Sequence, residues 1–139
     1  KWFGFDYTDY YYKEMGSPLH RKVFAFKKLI QQKDLAAIKE KTNEIERQFA
    51  AGDKRSVNID PGFLLPSRFV LATGKDYSHR IYIGRKMYAD LTLMYTKKKG
   101  FVTLDWTYPD YASQEMILFL TKVRNKYVRD LKNFTRKRE

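Results

Sequence analysis

The stretch TGKDYSHRIYI, residues 73–83, places threonine, lysine, aspartate, serine, histidine and arginine side chains within a few consecutive positions. Lys75 and Arg80 could hold an anion through charge-assisted hydrogen bonds, and His79 could carry a proton near neutral pH. Two familiar devices are absent. A phosphate-binding loop needs a glycine five residues before Gly74 and Ser or Thr after Lys75, where the chain has Phe69 and Asp76. A local Ser-His arrangement is unsupported too, because neighbours on a strand point to opposite faces, which separates Ser78 from His79. On the same rule His79 and Arg80 are expected on opposite faces, His79 on the apolar side.

The elements that would position these groups follow from composition and periodicity. The 139 residues fit one domain, residues 1–139, and the abrupt start inside an aromatic pattern leads us to expect a further N-terminal segment upstream. With no cysteine there are no disulfides or thiolate metal sites, and with two histidines no metal centre is expected. No run of about 18 apolar residues occurs and the start is not a signal peptide, so a cytoplasmic protein without a membrane partner is expected. The net charge of +12, from 28 basic and 16 acidic residues, attracts phosphate-rich or anionic partners. The basic residues gather at Lys97–Lys99, and from Lys122 to Arg138 where they also suit a helix C-terminus.

Alternation predicts strands over 3–12, 23–30, 56–60, 68–74, 79–83, 87–96 and 101–106. A 3.6-residue period predicts a helix from Leu35, its stripe Leu35, Ile38, Thr42, Ile45 and Phe49, with Asp34 as N-cap and Gly52 as stop. A second helix is predicted from Ser113 to Phe134, burying Met116, Leu120, Val123, Tyr127, Leu131 and Phe134. The short strand connections imply an α+β fold: one mostly antiparallel sheet of six to seven strands with two main helices on one face.

Turn length then sets which side chains meet across the sheet. A three-residue loop, Gly84–Lys86, pairs Ile83 with Met87 and Ile81 with Ala89, which sets Arg80 opposite Asp90 and Tyr82 opposite Tyr88. A four-residue loop, Lys97–Gly100, would pair Leu93 with Leu104 and Leu91 with Trp106. The face away from the helices then carries Arg80, Tyr82, Tyr88, Asp90, Thr92, Thr103, Asp105 and Thr107. Such a face could bind a ligand, or it could be a solvated β-surface whose ion pairs stabilise by about 1 kcal/mol or less. The Asp60-Pro61-Gly62 turn and the Trp106–Tyr111 connection are each as readily structural as functional.

The segments EMG with Leu19 and Arg21, TNEIE, VNIDPGF, LAT-K, HRIYI, YADLTLMY and WTYPDY, taken together, resemble domain-of-unknown-function family 4416, a set of small prokaryotic proteins. The resemblance spans nearly the whole chain and brings no established reaction. A GTP-binding label attached to some members has no phosphate loop here to support it. It implies that Glu14, Gly16, Arg21, Asn43, Asp60, Pro61, Gly62, Thr73, Lys75, His79, Arg80, Tyr82, Thr92, Trp106, Thr107, Pro109, Asp110 and Tyr111 belong to the family's motifs. The expected function is binding of a small phosphorylated or nucleotide-like ligand by Asp60, Lys75, Arg80, Tyr82, Tyr88, Asp90, Thr92 and Thr107. His79, Asp90 and Asp105 are the candidates for any acid–base chemistry. The residues name no cofactor. An RNA-binding module and a structural subunit, which a homo-oligomer would satisfy, are the alternatives.

Overall fold

The computed structural model describes residues 2–5 and 11–136. In chain order the elements are β1 (Trp2–Phe5), α1 (Tyr12–Met15), β2 (Leu19–Lys22), α2 (Leu35–Gln48), β3 (Gly62–Leu65), β4 (Arg68–Thr73), β5 (Arg80–Tyr82), β6 (Tyr88–Thr96), β7 (Gly100–Thr103), α3 (Pro109–Ala112) and α4 (Gln114–Arg136). The fold is α+β, with antiparallel pairing of β1 with β2, β5 with β6 and β6 with β7.

The single sheet of six to seven strands expected from the sequence is instead two sheets. β1 and β2 pair with each other, and a five-stranded sheet runs β3-β4-β6-β5, with β7 also on β6. The first three residues of β6 take β5 and its last four take β7. Residues 23–30 and 56–60 form no strand. β3, masked in the sequence by Pro61-Gly62, forms a tight hairpin with β4 through Pro66 and Ser67. Of the strand expected over 3–12, residues 6–10 lie outside the described residues.

The chain divides into two compact units, one of residues 1–63 and 71–90, the other of 64–70 and 91–139. In the first, Leu35, Ala36, Ala72 and Met87 are buried. The hairpin register there is the expected one, Arg80 opposite Asp90 and Tyr82 opposite Tyr88, closed by Ile83 N–H to the Met87 carbonyl at 2.9 Å. Its faces are not as expected. Ile81 is exposed, whereas Asp90 is 7% exposed, because so short a β5 is an edge whose inward-facing groups are the ion pair.

Helix α2 departs from its apolar stripe in the same way. Leu35, Ala36, Lys39 and Glu46 are buried, while Phe49, just past the helix, is exposed. Asp34 makes no side-chain cap, and Gly52 belongs to the following Ala51–Lys54 turn instead of ending the helix.

In the second unit the core is Val70, Leu93, Phe101, Tyr111, Met116 and Leu120. The β6–β7 register slips by one from the expected pairing: Tyr95 faces Phe101 and Leu93 faces Thr103. The loop is three residues, with Gly100 already paired to Thr96 at φ +74°, a left-handed conformation that glycine adopts without steric penalty. The slip brings the Tyr95 and Phe101 rings edge to face, 5.2 Å apart. Arg124 of α4 covers Tyr95, its guanidinium carbon 3.3 Å from the ring centroid, and its Nε donates to the Pro66 carbonyl at 2.7 Å. Burial along α4 fades toward its end, where Leu131 and Phe134 are exposed.

Candidate functional site

The turn between β4 and β5 gathers its polar groups on one carboxylate. Arg80 Nε donates to Asp90 Oδ2 at 2.8 Å, and His79 Nε2 lies 3.2 Å from the same oxygen. The Arg80 and Asp90 side chains are 7% and 10% exposed, so this is a buried ion pair. Arg80 Nη1 also donates to the Lys75 carbonyl at 3.1 Å, closing the turn across its base.

The expectation that His79 and Arg80 diverge is thus corrected. Strict alternation holds only in extended backbone, and His79 precedes β5, in a turn closed by Arg80 N–H to the Tyr77 carbonyl. That turn lets both side chains reach Asp90.

Tyr77 roofs the cluster. Its ring lies 5.7 Å from the His79 ring, and the Arg80 guanidinium carbon is 5.5 Å from its centroid. Tyr77 itself and the Lys75 side chain are exposed. Beside them Tyr82 and Tyr88 meet edge to face at 5.4 Å, with Tyr82 exposed. Desolvation first, then the neighbouring Asp76 carboxylate, pushes the Tyr88 hydroxyl above its ordinary pKa of 10.0.

A second polar cluster in the same unit was not visible to hydropathy. Glu46 Oε1 accepts from the Ile59 N–H at 2.7 Å and lies 3.7 Å from Lys39 Nζ, which donates to the Ile59 carbonyl at 2.8 Å. Arg55 spans this group: Nη1 reaches Glu46 at 3.4 Å and Asn58 at 2.9 Å, while Nε and Nη2 clasp both oxygens of Glu14 at 2.7 and 3.1 Å. The Arg55 hydrogen bond holds the Glu14 carboxyl below its ordinary pKa of 4.5, and the Lys75 charge adds a smaller downward push. Asp60 stands at the edge, accepting from Asn58 at 3.0 Å and 3.7 Å from Arg21. The segments EMG, TNEIE and VNIDPGF, which carry the family resemblance, hold Glu14, Glu46, Asn58 and Asp60, although only Glu14 and Asp60 were singled out from the sequence.

The remaining expected site residues serve the second unit as struts. Thr92 is buried, and its carbonyl accepts from Thr107 Oγ1 at 2.6 Å, while that hydroxyl accepts from the Leu104 N–H at 2.8 Å. Trp106 Nε1 donates to the Leu91 carbonyl at 2.8 Å, and Ser113 caps α4 by accepting from Met116 N–H at 3.3 Å. Asp105 is exposed in the turn after β7. Among the described residues no group of three or more His, Cys, Asp or Glu side chains is placed to hold a metal ion.

The model of one protein family, the domain of unknown function DUF4416, matches residues 1–127. The chain belongs to this family. In this DUF4416 domain the matched span contains both polar clusters and the Trp106–Tyr111 connection. No curated protein and no solved structure matches the chain.

Proposed function

We propose that this DUF4416 domain binds a small phosphorylated or nucleotide-like ligand over the turn formed by residues 73–79. The observation that carries the reading is the shared carboxylate: Asp90, buried, holds Arg80 and His79 together beneath the exposed Lys75 and Tyr77. The net charge of +12 favours an anionic ligand. Lys75, exposed in this turn and close enough to Glu14 for its charge to act there, supplies an ammonium for a phosphate, and the exposed rings of Tyr77 and Tyr82 offer faces for a base. Arg80, spent on Asp90 and the Lys75 carbonyl, holds the turn in shape for the groups above it.

A second reading, single-stranded RNA, draws on the exposed rings of Tyr77 and Tyr82, the latter next to Lys86, whose backbone N–H lies 3.5 Å from the Tyr82 hydroxyl, since aromatic faces flanked by charge suit unpaired bases. Thermal shift against nucleotides, sugar phosphates and short RNA separates the two. A saturable shift with one small ligand, lost in Lys75→Ala and Tyr77→Ala while their unliganded melting stays native, is the expected result. Binding that grows with RNA length and weakens steeply with salt would favour the second reading, and silence with every compound would sink both.

A further inference from the structure

We propose, against the expectation of no membrane partner, that the segment from Lys22 to Lys33 is a docking surface for an anionic lipid bilayer; no helix among the described residues is long and apolar enough to cross a membrane, and the protein lies on the surface. From Val23 to Gln31 the chain takes neither strand nor helix, and four large apolar side chains stand out from it: Phe24 at 63% exposed, Phe26 at 82%, Leu29 at 66% and Ile30 at 44%. Four such residues fall within a span of seven, a local concentration unlike the scattered single apolar residues that any surface carries. The Phe24 and Phe26 rings stack at 6.4 Å with 26° between their planes, and Lys22 Nζ lies 5.1 Å from the Phe24 centroid, so aromatic and cation are already side by side.

Charge selects the occupant. Lys22, Lys27, Lys28 and Lys33 are interleaved with the apolar residues, and no carboxylate occurs between Lys22 and Lys33, in a chain of net charge +12. A second copy of the chain would bring the same lysines against these. A nucleic acid could stack on the two phenylalanines yet offers Leu29 and Ile30 nothing to be buried in. An anionic leaflet satisfies both kinds of side chain, with the apolar groups entering the headgroup–acyl boundary and the lysine stems carrying their ammonium groups to the lipid phosphates.

The test is co-sedimentation of the full chain with vesicles of equal parts phosphatidylcholine and phosphatidylglycerol, against vesicles of phosphatidylcholine alone. The expected result is binding to the anionic vesicles that falls with added salt. The double variant Phe26→Asp/Leu29→Asp is expected to lose at least about tenfold in partitioning through lost apolar insertion. Lys27→Glu/Lys28→Glu is expected to lose at least about tenfold through the leaflet's field. Both pairs are exposed, and thermal melting of each variant checks that it stays folded. Native binding to neither vesicle, or binding unchanged in both variants, overturns the proposal. So does a native dimer in sedimentation velocity that Phe26→Asp/Leu29→Asp dissociates, or RNA binding lost in these variants with vesicle binding intact.

Discussion

Replacing Asp90 with alanine removes the acceptor shared by Arg80 and His79 and leaves the guanidinium, 7% exposed at its side chain, with the Lys75 carbonyl at 3.1 Å. Removing one partner of a buried ion pair costs about 3–5 kcal/mol, since the remaining charge stays inside without compensation. Had the pair been the solvated cross-strand contact that the sequence suggested, the loss would be about 1 kcal/mol or less. Total stabilities run to about 5–15 kcal/mol, so the larger figure is a substantial part of the whole. For a chain of this size it corresponds to a fall in Tm of roughly 10–20 °C.

Urea unfolding and calorimetry of the wild type, Asp90→Ala, Asp90→Asn and Arg80→Leu/Asp90→Asn decide the matter. Asparagine keeps an oxygen for Arg80 Nε and is expected to lose less than alanine. The double variant removes the stranded charge and is expected to regain part of the loss. A loss below about 1 kcal/mol for Asp90→Ala would show that the pair behaves as a surface contact, refuting the buried geometry.

Glu46→Ala is expected to cost about 3–5 kcal/mol in urea unfolding, because it strands the Lys39 ammonium, 8% exposed, and the Ile59 N–H; Glu46→Gln, which keeps an acceptor for that N–H, should cost less. Thr107→Val deletes one donor and one acceptor at once, and a loss of about 1–3 kcal/mol is expected. Because Arg55 lowers the folded pKa of Glu14, the unfolded chain binds more protons there and the pair stabilises the fold above the ordinary value of 4.5. The stability gap between wild type and Glu14→Gln should therefore be full at neutral pH and shrink as pH drops below 4.5 through the lowered folded value; a gap that stays constant on acidification contradicts it. Asp76→Asn should bring the ionisation of Tyr88 down toward 10.0, read as the tyrosinate absorbance that a Tyr88→Phe variant lacks.

Local patterns determined much of this protein from the sequence. Period-2 alternation located β4, β5 and β6, the apolar pairing rule found the Arg80–Asp90 register, and the 3.6-residue period found α2 and α4, because each signal is complete within one element or one hairpin. The motifs also pointed to the family that the chain belongs to. Other features were settled only by tertiary structure. Lys39 and Glu46 read as solvent-facing charges until Ile59, twenty residues beyond Lys39, supplies a carbonyl and an N–H to them. The β6–β7 register turned on the backbone angle of one glycine, and residues 23–30, apolar-rich around Phe24 and Phe26, pair with no strand among the described residues. His79 joined Arg80 on Asp90 because hydrogen bonding in a turn overrode alternation, and that contact between residues eleven apart in sequence makes the cluster a candidate site.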